Sequence, residues 1–211
     1  MQLYVDSNYV SPYAMSVFVA LHEKKLPFEI TCLDLSSGAA SAPAYAKISL
    51  THRVPTLVDG DFALSESSAI TEYLHEAYPG QALYPTAVKA RARARQVQAW
   101  LRSDFMPIRS ERSTSVLFYG PSATVLSAEA RDAAQKLFTG ATELLAHGGP
   151  YLCGKEWCIA DVDLAIMLNR LLLNGDAVPD NLSGYATLQW QRPTVQRWAN
   201  HERPSLRASL T

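Results

Sequence analysis

The feature that most constrains this chain is a change of pattern near residue 78. Before it, short apolar or β-prone runs alternate with helical periodicity. After residues 78–86, which are rich in turn formers, the strand signals nearly vanish. This pattern predicts a mixed α/β unit over residues 1–78, a linker over 79–86 and an all-helical unit over 87–211. In the first unit, residues 3–5 read as a strand. Ser11 then caps a helix running to about Lys24, with Pro12 suited to its first turn. Residues 28–35 read as a second strand, and a right-handed crossover makes the two strands parallel. A loose Ser/Ala/Gly stretch over 36–41 and a short helix near 43–48 follow.

Residues 52–70 then complete a β-α-β-α-β-β-α order and carry the chemistry. The runs 56–58 and 62–64 flank Asp59-Gly60-Asp61, a hairpin signal, and the second run leads straight into Ser65-Glu66-Ser67-Ser68 and a helix carrying Ile70, Tyr73 and Leu74. Unpaired N–H groups at that helix start, with the helix dipole, attract a carboxylate, and Ser67 adds a hydroxyl. Just ahead, Val54-Pro55 lacks a donor at Pro55, and a cis bond there turns the Val54 N–H and C=O outward to pair with a ligand's own peptide groups. Separately, the structural readings are an ordinary trans proline and an ordinary helix cap. Together and at this spacing they point to a peptide-binding device.

In the second unit, 87–112 reads as a long helix bent or broken near Pro107, with further helices over 127–146, 159–173 and 194–200. Arg91, Arg93, Arg95, Arg102, Arg109 and Arg112 give the first a basic character, read as a solvated or subunit-facing stripe, although Arg109 is a candidate to face a cleft. Cys158-Ile159-Ala160-Asp161 resembles a capping box with its acid but without its hydroxyl, so Asp161 reads as a structural cap.

Composition narrows the partners. With 19 basic and 20 acidic residues the net charge is −1, giving no general field for nucleic acid or an anionic membrane. The chain starts as a strand without a leader pattern, and no apolar run is long enough for a bilayer, so a cytoplasmic protein without membrane association is expected. Cys32, Cys153 and Cys158 are expected to be reduced, as small core residues. His22-Glu23 begins like a zinc-protease helix, but Leu26 stands where a second histidine is needed, and no metal is expected.

Ser11-Pro12-Tyr13, residues 53–57, residues 64–70 with Tyr73 and Leu74, and Ile159-Ala160-Asp161 with Asp163-Leu164 occur in an order and spacing that resemble the cytosolic glutathione S-transferases. The likeness spans nearly the whole chain and is greatest to bacterial serine-type (theta/zeta-like) members. It implies a thioredoxin-like domain joined to a helical bundle, glutathione as co-substrate and a homodimer. In this resemblance Pro55 is cis and Val54 pairs its backbone with the cysteinyl unit. Glu66 and Ser67 hold the γ-glutamyl end, and Arg53 or His52 sits near the glycyl carboxylate. Tyr9, Tyr13, Phe105, Met106, Arg109 and Tyr119 are its candidates for the electrophile pocket. Cys158 departs from the family's cap hydroxyl.

Ser11-Pro12-Tyr13-Ala14 stands where a related glutaredoxin carries Cys-Pro-Tyr-Cys, so the protein's own dithiol cannot cycle here. The implied nucleophile is the thiol of bound glutathione, with Ser11 as donor to its sulfur and Tyr4 and Tyr9 as rivals. The expected activity is attack of that thiolate on small hydrophobic electrophiles or reduction of organic hydroperoxides. A non-catalytic ligand-binding or assembly module of the same fold, and a glutathione-dependent disulfide reductase, are the competing readings.

Overall fold

A computed structural model describes residues 1–205. The chain opens with β1 (Gln2–Asp6), α1 (Pro12–Glu23) and β2 (Glu29–Leu33). Two single-turn 3-10 helices, Leu35–Ser37 and Ala39–Ser41, and α2 (Pro43–Ala46) lead to β3 (Thr56–Asp59), β4 (Phe62–Ser65) and α3 (Ser67–Ala77). The four strands are ordered β2-β1-β3-β4. β1 runs parallel to β2, with Leu3 opposite Ile30, and antiparallel to β3, with Leu3 opposite Leu57. This is the β-α-β-α-β-β-α order expected from the pattern and the thioredoxin-like arrangement that the resemblance implies. Leu3, Val5 and Leu57 are buried, as are Met15, Val19, Ile70 and Leu74 on α1 and α3, which pack against each other.

The rest is helical: α4 (Val88–Ser103), α5 (Met106–Glu111), α6 (Ser115–Phe118), α7 (Ala128–Leu145), α8 (Ile159–Leu172), α9 (Asp180–Trp190) and α10 (Pro193–Ala199). α8 is buried almost all round and packs on α4, α9 and α1, which makes it the axis of the bundle. Asp161 anchors its start, accepting from the Cys158 N–H at 2.8 Å, the Leu152 N–H at 2.6 Å and the Tyr185 hydroxyl at 2.7 Å. The cap therefore works through its acid. Burial nevertheless raises the Asp161 pKa, these donors opposing the rise.

One expectation is located more closely and three need correction. The long helix breaks at Asp104–Phe105, where Phe105 takes the left-handed φ of 62°. Pro107 merely occupies the first turn of α5, where its missing N–H costs nothing. α9 and the short α6 were unforeseen, although Leu182, Tyr185, Ala186 and Gln189 in α9 are buried at helical spacing. Gly184 and the polar residues around it hid that signal. The cysteines are free, but only Cys158 is buried: Cys32 lies on the edge strand β2 and is exposed, and Cys153 is half-buried. Finally, the arginine stripe divides. Arg93 and Arg95 are solvated, whereas Arg102 and Arg109 turn inward and Arg112 is buried against Asp176 at 2.6 Å.

Candidate active site

Two cavities meet at Arg53 and Val54. One, of about 310 Å³, lies between the domains and is lined by Val54, Pro55, Glu66 and Ser67 on one side and Arg102, Met106 and Arg109 on the other, with Tyr13 between them. The second, of about 420 Å³, is lined by Val10, Ser11, Leu35, His52 and Thr114. Of the candidate peptide clamp, Glu66 and Ser67 thus line one compartment and Ser11 lines the adjoining one, with Val54 lining both.

Ser11 is held from below. Both carboxylate oxygens of Asp6, which ends β1, accept backbone N–H groups, from Val10 at 2.8 Å and Ser11 at 2.9 Å. Ser11 Oγ in turn accepts the Ala14 N–H at 3.2 Å. That bond uses a lone pair and leaves the hydroxyl proton available to another acceptor. The hydroxyl sits at the N-terminus of α1, where the helix dipole favours negative charge.

The clamp has its own scaffold. Val54–Pro55 is cis. Beneath it the Arg53 carbonyl accepts from the Tyr45 hydroxyl at 2.7 Å, and Tyr45, Thr56, Ser49 and Ser65 form a buried hydroxyl network. Burial raises the Tyr45 pKa, so this donor stays protonated. Glu66 caps α3 at φ 73°, a conformation rarely held by a residue with a Cβ and one that clusters at ligand clamps. Ser67 is buried, and its Oγ accepts from Arg102 Nη2 at 2.8 Å.

Tyr13, Met106 and Arg109 line the first cavity, whereas Tyr9, Phe105 and Tyr119 line neither. Tyr9 packs edge-on against Trp198 and His201, and its hydroxyl takes a bond from the Cys32 thiol at 3.0 Å. Burial and that thiol push its pKa up to about 12. Phe105 is 4% exposed and packs on Trp100, while Tyr119 donates to the Pro204 carbonyl at 3.0 Å. Tyr4 stacks on Tyr45 and lines neither cavity. Sequence reasoning missed Asp6, Arg102 and the hydroxyl network. Arg102 carried a signal, lying about two helical turns before Arg109 on the same basic stretch. Asp6 carried none.

Among the described residues no group of three or more His, Cys, Asp or Glu is placed to hold a metal ion, and no helix is long and apolar enough to cross a membrane. Family profiles described as the glutathione S-transferase N-terminal and C-terminal domains match residues 10–77 and 87–202. The chain belongs to the glutathione S-transferase family. Glutathione S-transferase 1 of Dianthus caryophyllus is 32% identical over 166 residues, covering 78% of this chain and 74% of that protein. Glutathione S-transferase Z2 of Arabidopsis thaliana is 29% identical over 214 residues, covering 99% and 96%. Among solved structures, a glutathione transferase homolog from Burkholderia, with bound glutathione, is 44% identical with a TM-score of 0.75, covering 93% of this chain and 94% of that one. The Ser-capped α1 and the Glu66-Ser67 start of α3 belong to the part matched by the N-terminal profile.

Proposed function

We propose that this protein is a glutathione transferase whose cleft holds glutathione along Val54, Glu66 and Ser67 and whose Ser11 activates the bound thiol. In this reading the outward edge of Val54 pairs with the cysteinyl unit. Ser67, with Arg102 behind it, receives the γ-glutamyl carboxylate, while Glu66 receives the amine. The exposed Arg53 and His52 lie towards the glycyl end. Residues 1–78 supply the glutathione side, and residues 87 onward supply the wall facing it across the linker at 79–86. Two such chains form a homodimer.

The chemistry follows from one number. A free thiol has a pKa of about 8.5, so only several per cent is thiolate near neutrality, and lowering it by about two units takes about 2.7 kcal/mol of differential stabilisation. A hydroxyl donor combined with a helix terminus supplies energy of that order. Ser11 donates its proton as a hydrogen bond and remains a hydroxyl. The thiolate then attacks a small electrophile, or the terminal oxygen of an organic hydroperoxide: there the O–O bond breaks, the alcohol leaves, the sulfur becomes a sulfenic acid, and a second glutathione thiol displaces water from it to close the disulfide. The observation that carries this reading is the Ser11 hydroxyl at the α1 N-terminus, whose bond from the Ala14 N–H uses a lone pair rather than its proton, set across the shared Arg53–Val54 wall from Glu66 and Ser67.

Ser11→Ala tests it. The thiolate absorbance of bound glutathione is expected to appear about one to two pH units higher, with kcat/KM for a generic aryl halide falling about ten- to a hundredfold. An unchanged titration would remove Ser11 from the role.

A further inference from the structure

Tyr9, two residues before Ser11, is held from outside its own loop. The N–H groups around it are satisfied locally: Ser7 donates to the Leu33 carbonyl at 2.9 Å, Tyr9 to the Asp6 carbonyl at 3.0 Å, and Val10 and Ser11 to the Asp6 side chain. The Tyr9 carbonyl is different. It accepts from Arg203 Nη2 at 3.2 Å and Nε at 3.3 Å, across 194 residues of sequence. Tyr9 also takes the left-handed φ of 51°, which a residue with a Cβ keeps only where its surroundings over-determine it. Its ring meets the same distant segment, edge-on to Trp198 with centroids 5.4 Å apart and to His201 at 3.8 Å.

Arg203 is the hub of that segment. Its Nη2 also donates to the Trp198 carbonyl at 2.7 Å, and Nη1 donates to the Ala199 and His201 carbonyls, each at 2.8 Å. The guanidinium lies 4.0 Å from the centroid of the Phe118 ring in α6. One residue further on, the Pro204 carbonyl accepts from the Tyr119 hydroxyl at 3.0 Å. The segment thus joins two walls of the compartment that holds Ser11: the loop after β1 on one side and, through α6, Thr114 on the other. Bonds to residues 198, 199 and 201 are what an ordinary cap at the end of α10 makes. The two bonds to Tyr9 are not, because they leave α10 and reach the loop between β1 and α1. A planar fork of donors serves both ends at once.

Resting on the glutathione reading above, we infer that Arg203 is a positioning residue for Ser11: by fastening the Tyr9 carbonyl it sets where the Ser11 hydroxyl meets the thiol of bound glutathione. Arg203 lines neither cavity, so it acts through the loop rather than on the reactants. Hydrogen bonds weaken steeply once distance and angle leave their optimum, so a loosened loop weakens the bond to sulfur. Glu66 and Ser67 line the other compartment, so glutathione affinity is not expected to follow.

The test titrates the thiolate absorbance of bound glutathione in the unmodified protein, Arg203→Gln, Ser11→Ala and the double variant, with glutathione affinity read by calorimetry. Arg203→Gln is expected to raise the pH of half-ionisation by about 0.5–1 unit, which below that pH cuts the thiolate fraction about three- to tenfold, while glutathione affinity stays within about twofold. In the Ser11→Ala background the same change is expected to move the titration no further. A helix cap does not produce that non-additivity, since its loss lowers stability and leaves both titrations where they were. Arg203→Lys keeps the positive charge at the end of α10 but replaces the fork by one point donor, so the same direction of shift is expected from it, and it carries the comparison if Arg203→Gln does not fold. An unshifted titration in the folded Arg203 variants, with Ser11→Ala shifted, overturns the inference and leaves the glutathione reading standing. A shift of equal size in the Ser11→Ala background also overturns it, because Arg203 then acts without Ser11. An unshifted titration in Ser11→Ala, or absence of glutathione binding by the unmodified protein, sinks the proposed function and this inference with it.

Discussion

Asp6 shows how one side chain shapes the loop that carries Ser11. It is 4% exposed, and its two oxygens satisfy the N–H groups of Val10 and Ser11, fixing the loop in which Tyr9 takes the left-handed φ of 51°. Asp6→Ala strands both donors and is expected to cost about 2–4 kcal/mol, at roughly 1–2 kcal/mol for each lost bond to a charged acceptor. Asp6→Asn, which keeps one acceptor oxygen, is expected to lose about half as much. Denaturant titration reads the stability, and the activity of each folded variant should fall with it because Ser11 loses its fixed position. Equal stability of Asp6→Ala and the unmodified chain would show that the loop holds itself. None of this was legible in the sequence, where Asp6 reads only as the start of a polar loop after the first strand. Ser11, Val54, Glu66 and Ser67 were legible because their spacing reports local backbone geometry. The partner of a backbone N–H across a loop reports nothing local.

At the scale of elements, what was legible is what periodicity encodes: β1, α1, β3, β4 and α8 appear close to where the pattern puts them. What was hidden depends on which neighbour an element meets. The arginines of α4 and α5 look uniform in sequence, yet α8 lies behind one end of the run and solvent behind the other. Glu23 at the end of α1 is a similar case. It accepts from Arg192 Nε at 2.7 Å and Nη2 at 2.8 Å, and from the Thr194 hydroxyl, tying the first domain to the α9–α10 corner. Burial by itself raises its pKa, but the bonds from Arg192 and Thr194 outweigh it and hold the carboxyl below its ordinary 4.5. A depressed carboxylate pKa means that the stabilisation is complete above the unfolded value and is lost as the pH falls through the folded one. Glu23→Gln is therefore expected to lower stability by about 1–3 kcal/mol at neutral pH and by progressively less below about pH 4.5. Thermal melts of both proteins from pH 7 to 3 check this. A gap that stays constant across that range would rule out ionisation of Glu23 as its source.

The whole molecule is closed by a ring of hydrogen bonds that starts and ends on α3. The Thr71 hydroxyl meets the Tyr84 hydroxyl at 2.8 Å, and Tyr84 donates to Gln98 Oε1 at 2.8 Å. Gln98 Nε2 donates to Asp163 at 2.7 Å, Asp163 faces Arg102 at 3.5 Å, and Arg102 reaches Ser67 at 2.8 Å. Tyr84 lies on the irregular segment between α3 and α4, so that segment is a buried strut: Leu83 and Tyr84 are shielded from solvent, and the Leu83 carbonyl accepts the Ile159 N–H at 2.9 Å. Tyr84→Phe keeps the ring's packing and deletes one hydroxyl, leaving Thr71 and Gln98 each short of a buried partner. The expected loss of stability is about 1–3 kcal/mol. Because the ring ends on Ser67, the same change should also weaken glutathione binding at a point it does not touch. A double-mutant cycle of Tyr84→Phe with Ser67→Ala, read by calorimetric glutathione affinity, is expected to show a coupling of at least about 0.5 kcal/mol. Additive losses would mean that the bonds act one by one and that the domain junction does not set the clamp.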